Sequence, residues 1–242
     1  MKTNLDKASS VIQEFSRFAN QYDTYNTIQS KVATQLINRI PKKSYVSVLD
    51  IGCGSGKVFK NLKLHGIEVK TYVALDFSKK MLDIHPSDNT ITKVCASFDD
   101  LEFKSYLPQK SYDLILSSSA LQWSSMLTNT VREISTISND FYGAIFTSNT
   151  FKTLHQSANL ESPIYTTEDM INIFNLYYKN VQYDINQYKL EFSSIREMFK
   201  YIKHSGVSGG EKKLSYIEIK KLMNMYPLTY LEFEVLFVTA KN

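Results

Sequence analysis

The chain has 242 residues, 43% hydrophobic and 21% charged, with a formal net charge of +4. That is enough for a sizeable core, and too weakly basic for a duplex nucleic-acid binder. The opening MKTNLDKASSVIQEF has no apolar h-region, no window approaches the roughly 18 apolar residues of a membrane span, and Cys53 and Cys95 fit neither a metal spacing nor a disulfide framework. The expectation is a cytoplasmic, reduced protein with no metal, no membrane and no nucleic-acid partner.

The first 40 residues read as helices. Val11, Phe15, Phe18 and Tyr22 recur at three- and four-residue spacing and make one apolar stripe; Ile28, Val32, Leu36 and Ile40 make a second, which Pro41 ends. From Tyr45 the rhythm changes. YVSVLDI is a short apolar strand running into glycines, GKVFKNLKLHG a helix closed by Gly66, VKTYVALD a second strand, and SKKMLDIH a helix opened by capping Ser78. TITKVCAS, YDLILSS and DFYGAIFTSN read as three further strands, with SSMLTNTVREISTIS a helix before the last of them. Strands alternating with helices predict an α/β fold built on a doubly wound, mostly parallel sheet.

Beyond Thr150, TTEDMINIFNLYYKN reads as a helix capped by Thr166 or Thr167, and VQYDINQYKLEF as a strand. SSIREMFKYIKHSG and SYIEIKKLMNMY read as helices either side of Gly209-Gly210, and TYLEFEVLFVTAK as a final strand. The expected organisation is a single domain: a helical cap over 1–41, a core over 45–150, and a C-terminal half over 151–242. That half carries a helical insertion over about 193–225 and the last strand over about 229–240. Cap and insertion are expected to form a lid, because insertions on such sheets commonly lie over the binding crevice.

Three of the eight glycines fall in DIGCGSG: Gly52, Gly54 and Gly56. They follow a strand and precede a helix, where glycine lets the backbone turn sharply and approach a ligand. The spacing is G-x-G-x-G; the dinucleotide fingerprint needs glycine at position 57, which is Lys57. Asp50 ends the strand before the loop, where an acid can take hydrogen bonds from a cationic ligand and would sit badly beside a pyrophosphate. Asp76 follows Gly56 by 20 residues, at the end of the second strand, where a carboxylate suits a ribose diol. A cationic amino acid joined to a ribose and an adenine describes S-adenosylmethionine. The alternative is a tight structural turn.

VLDIGCGSG with VALDFSKKML resembles motifs I and II of class I S-adenosylmethionine-dependent methyltransferases. The resemblance implies a Rossmann-like sheet with an antiparallel last strand. It implies that Gly52, Gly54 and Gly56 carry the methionine end of the cofactor and Asp76 the ribose hydroxyls, with Phe77 beside them and Met81 facing the adenine. The third strand of that family usually ends in Gly-Asp; here the pair is Ala96-Ser97. Ser97 can accept from the adenine amine and Phe98 can offer its backbone N–H. The departure bears on cofactor affinity rather than identity. SALQW, SSIREMFKYIKHSGVSG, YPLTYLEFEVLFVTAK and the N-terminal FSRFANQYDTYNTIQ are similar to the malonyl-acyl-carrier-protein O-methyltransferases of biotin synthesis, the BioC type, so the likeness spans essentially the whole chain. It implies methyl transfer to the free carboxylate of a malonyl thioester, on acyl carrier protein or coenzyme A, as the start of pimelate assembly.

The residues are consistent with such an acceptor. A carboxylate is already an anion at pH 7 and needs no general base. None of the four histidines, His65, His85, His155 and His204, falls at a strand end where a base would sit. Candidates to hold the anion are Tyr22, Arg196 and Lys203, ahead of Tyr226 and Tyr230. Arg196, Lys200 and Lys203 share a helix face, which reads equally as solvated surface. Lys200, Lys203, Lys212, Lys213, Lys220 and Lys221 would face an acidic carrier. In LSSSALQWSS, small residues from Ser117 to Ala120 leave room for the methionine part and the acceptor, and Trp123 walls the acceptor side or buttresses the lid. The competing readings are a methyltransferase for another small carboxylic acid and a non-catalytic cofactor-binding partner subunit.

Overall fold

A computed structural model describes residues 26–204 and 214–242. The stripe from Val11 to Tyr22 and residues Gly209, Gly210, Lys212 and Lys213 lie outside that range, and of Lys203 and His204 only the backbone is described.

Helix α1, Thr27–Ile37, buries Ile28, Val32, Ala33, Leu36 and Ile37 on one face. Strand β1, Ser44–Ile51, leads through the glycine loop into α2, Lys57–Leu64. Then come β2, Glu68–Asp76, α3, Lys79–Ile84, and β3, Ile91–Cys95. Strand β4, Leu114–Ser118, is followed by a short 3-10 turn, Leu121–Trp123, and α4, Leu127–Ser135. Strand β5, Asp140–Phe146, precedes α5, Lys152–Ala158, and α6, Thr167–Tyr177. The chain closes with β6, Asn180–Glu191, α7, Ile195–His204, α8, Tyr216–Met225, and β7, Tyr230–Lys241.

Seven strands form one sheet in the order β3-β2-β1-β4-β5-β7-β6. Neighbouring strands from β3 to β5 pair parallel, and β7 runs antiparallel to both β5 and β6. The expected Rossmann-like architecture is therefore present, antiparallel last strand included. The inner strands are largely apolar because helices cover both faces, with Ser47 and Asp50 the buried polar residues of β1. Successive residues point to opposite faces: Val48, Tyr72, Ala74, Leu114 and Leu116 pack with α1 and α2, while Leu49, Ile51, Val73 and Ile115 pack with α4 and α6. The strand order reverses between β1 and β4, which opens a crevice at their carboxyl ends. Helices α7 and α8 come between β6 and β7, where the insertion was expected.

Two elements differ from the sequence reading. Strand β3 stops at Cys95, short of Ser97, and none of its residues is fully buried. Helix α5 was not foreseen. None of its seven residues is buried, so no apolar stripe marks it. Tertiary contact sets it instead: Phe151, buried and left-handed at φ +57°, turns the chain into it and packs edge-on against Phe233 at 4.9 Å.

Candidate active site

The carboxyl ends of β1, β2 and β4 frame a cleft. Its floor is the glycine loop. The Gly52 and Cys53 amides both donate to the Leu75 carbonyl, at 2.8 and 3.0 Å, hooking the loop to β2. Gly52 has φ +69°, and a Cβ there would sit 2.2 Å from the Ala120 Cβ. Gly54, at φ +51°, has nothing within 4 Å of where a Cβ would point, so its backbone is open to a ligand. Gly56 is spent differently: it caps α2, and its missing Cβ makes room for Pro86 at 2.5 Å and His85 at 2.8 Å. Gly52 and Gly54 line the cleft and Gly56 does not.

Asp76 reaches the cleft and braces the loop. Its Oδ2 accepts from the Gly54 amide at 2.9 Å and its Oδ1 from the Ser78 amide at 2.8 Å. Burial pushes its pKa up to about 6, against the pull of those two donors. Asp50 is fully buried behind the loop and does not line the cleft. Burial lifts its pKa to about 7; the Tyr72 hydroxyl, donating to Oδ2 at 2.6 Å, works the other way, and the nearby Asp76 charge adds to the rise. Its other oxygen, Oδ1, has no partner. Phe77, Met81 and Phe98 form an apolar wall suited to a flat ring.

Ser97 and Ser117 stand outside the lining. The Ser97 hydroxyl accepts from the Asp99 amide at 3.2 Å, and Ser117, fully buried, donates to the Ile51 carbonyl at 2.9 Å, stitching β4 to β1. Trp123 lines the cleft, on the 3-10 turn after β4. Arg196 is exposed on α7 and is not among the lining residues. Tyr22 and the side chain of Lys203 lie outside what is described.

The sequence reading missed Gln29, Asp99 and Glu234, and it took Ser118 and Ser119 as space rather than as hydrogen-bonding groups. Gln29 of α1 lines the cleft with an unpartnered Oε1, and Ser118 and Ser119 line it with unpartnered hydroxyls. Asp99 holds the Trp123 wall: it accepts from the Ser124 hydroxyl at 2.5 Å, the Ser125 amide at 2.8 Å and the Ser125 hydroxyl at 2.9 Å. Glu234 of β7 is buried near the end of β5. Its Oε1 accepts from Thr147 at 2.7 Å, Asn149 at 2.8 Å and Thr167 at 3.1 Å, and its Oε2 from Gln187 at 3.4 Å. Burial works against its charge, but these donors outweigh it and hold the carboxyl below its usual range. The hydroxyls of SSS and the acid of EFEVLF were visible in the sequence; their pairing was not.

The cleft suits a ligand with a cationic amino-acid end. Gln29 lines it with an unused acceptor atom, Gly54 leaves its cradle open, and Asp76 presents a carboxylate. Among the described residues no cluster of His, Cys, Asp and Glu could hold a metal ion, and no helix is long and apolar enough to cross a membrane.

Residues 49–139 match the family described as methyltransferase domain. The protein is an S-adenosylmethionine-dependent methyltransferase. This methyltransferase is 23% identical, over 83% of its own length and 76% of the relative's, to a malonyl-[acyl-carrier protein] O-methyltransferase of Bacillus cytotoxicus. The YcgJ protein of Bacillus subtilis shares its fold with a TM-score of 0.62 at 14% identity, over 87% of this chain and 97% of that one. The plantazolicin methyltransferase BpumL, solved in complex with SAH, aligns with a TM-score of 0.53 at 13% identity, over 95% of this chain and 90% of that one.

Proposed function

We propose that this methyltransferase esterifies the free carboxylate of a malonyl thioester, carried by acyl carrier protein or coenzyme A, at the start of pimeloyl assembly for biotin. The observation that carries the reading is the relative that acts on malonyl-carrier and matches across most of both chains. The cleft adds chemical support: none of its described lining residues is a histidine, and a carboxylate acceptor needs none.

When bound, S-adenosylmethionine supplies a methyl group on a positively charged sulfur, which the acceptor oxygen takes as the carbon–sulfur bond breaks, with no proton to remove. The chain's part is to hold and align. Gly52 and Gly54 receive the methionine end, Gln29 offers an acceptor toward its ammonium with the Asp50 carboxyl behind the loop, and Asp76 receives the ribose. Phe77, Met81 and the Phe98 segment enclose the adenine. Trp123 and the small residues after β4 shape the acceptor side and keep water away from it. Arg196, Lys200, Lys220 and Lys221, exposed on α7 and α8, offer positive charge to an acidic carrier. The reaction is placed in the cytoplasm, in keeping with the unpaired thiols of Cys53 and Cys95.

The test is incubation with methyl-labelled S-adenosylmethionine and, in parallel, malonyl-carrier, malonyl-coenzyme A or free malonate. Base-labile label on a malonyl thioester is expected. Label on free diacids alone would establish the other carboxylic-acid reading, and no label on any acid would end this one.

A further inference from the structure

Ser118 and Ser119, at the end of β4, line the cleft beside Trp123, and the Oγ of each is buried with no hydrogen-bond partner. Ser117, one residue earlier, shows the usual fate of such a group, donating to the Ile51 carbonyl. A buried hydroxyl without a partner destabilises the fold, so one in a cleft invites a ligand that completes it. Ser119 carries a second cost. Its φ is +59°, in the left-handed region that disfavours any residue with a Cβ, and its amide and carbonyl are tied down by Ala144 at 2.8 Å and Gln122 at 2.7 Å. Unsatisfied polarity and backbone strain coincide at one point of the cleft, the kind of place where strain is retained for function.

Among the described residues the lining has one cationic side chain, Lys57, at the start of α2 on the glycine-loop side. We infer that Ser118 and Ser119 hold the acceptor's carboxylate by hydroxyl donation, the role for which the sequence offered Tyr22, Arg196 and Lys203. The inference rests on the acceptor being a carboxylic acid, as proposed above. Neutral donors suit this reaction better than a cation. The acceptor begins as a full anion and ends as a neutral ester. A guanidinium clamped on both oxygens stabilises the starting anion more than the transition state, and so slows the transfer. Two hydroxyls orient the group through one oxygen and leave the other free to attack. Serine has three staggered rotamers, so a ligand can draw each hydroxyl out of its buried position.

The test uses Ser118→Ala, Ser119→Ala, the double variant and Ser119→Gly, each assayed with malonyl-coenzyme A and titrated with S-adenosylhomocysteine by calorimetry. S-adenosylhomocysteine affinity is expected to stay within about twofold of wild type. The KM for the thioester should rise about tenfold in each alanine variant and further in the double, with a smaller change in kcat. Ser119→Gly removes both hydroxyl and strain: its melting temperature should rise while its KM rises too. An unchanged KM in the double variant, or a loss of S-adenosylhomocysteine affinity in place of the KM effect, overturns the inference with the carboxylate reading intact. A wild-type enzyme that labels no carboxylic acid overturns both.

Discussion

The two sides of the cleft are built in opposite ways. On the glycine-loop side the groups that line the cleft are held by the backbone: both Asp76 oxygens accept amides, and Gly52 and Cys53 are anchored on Leu75, with only Asp50 Oδ1, behind the loop, left without a partner. On the β4 side the hydroxyls of Ser118 and Ser119 have no partner. The difference fits the roles proposed for the two sides. A pocket for one constant ligand gains from a backbone locked in advance, because the ordering cost is met on folding. A side that must align an oxygen for attack keeps donors free until the acceptor arrives.

The largest effect expected from breaking this contrast is at Gly52. Gly52→Ala places a Cβ 2.2 Å from Ala120 on a backbone at φ +69°. Overpacking and strain together should cost about 3 kcal/mol. Calorimetry should find S-adenosylhomocysteine affinity reduced a hundredfold or more; a variant that binds normally would show that the loop is not locked. Trp123→Ala acts on the other side. It should lower kcat by roughly ten- to a hundredfold, the scale of a misplaced reactant, and leave cofactor affinity within a few-fold. The opposite pattern in single-turnover and binding measurements would return the tryptophan to a supporting role in the core.

The smallest effect is in pH. Burial raises Asp50 to about 7 and Asp76 to about 6, both above the ordinary aspartate value. The folded protein therefore holds protons that the unfolded chain has released. Stability of the ligand-free protein is fully favoured by these groups below the unfolded value, and is lost as pH rises through about 4 to 7. A ligand with net positive charge favours the ionised carboxylates, so S-adenosylmethionine should bind several-fold more tightly at pH 8 than at pH 5.5. S-adenosylhomocysteine, without the sulfonium charge, should show a weaker dependence. Equal slopes for the two ligands would mean that neither aspartate senses the charge.

Much of the molecule was legible in one dimension. The strands announced themselves as apolar runs, and the doubly wound order followed from their alternation with helices. Ser78 was readable as a cap, and it does accept from the Met81 amide. Helix α5 was not readable, because its residues carry no apolar face and a buried Phe151 sets its start. At the site, the glycine loop, Asp76 and Trp123 were legible because local spacing places them at strand ends. Asp99 and Glu234 were not. Asp99 bonds residues 25 and 26 positions away, and Glu234 reaches Thr147 across 87.

The sequence by itself determined the sheet, the place of the cleft and the class of ligand proposed for the glycine loop and Asp76. Periodicity and the chemistry of short segments are local properties, and they survive without a fold. Only the tertiary structure decided how adjacent residues divide their work. It turned Gly54 toward the cleft and Gly56 against His85, and it joined Ser117 to Ile51 while leaving Ser118 and Ser119 unpartnered. Three successive serines are alike in sequence. Which one finds a partner depends on the facing strand and on the turn at Ser119, contacts made only when distant segments pack.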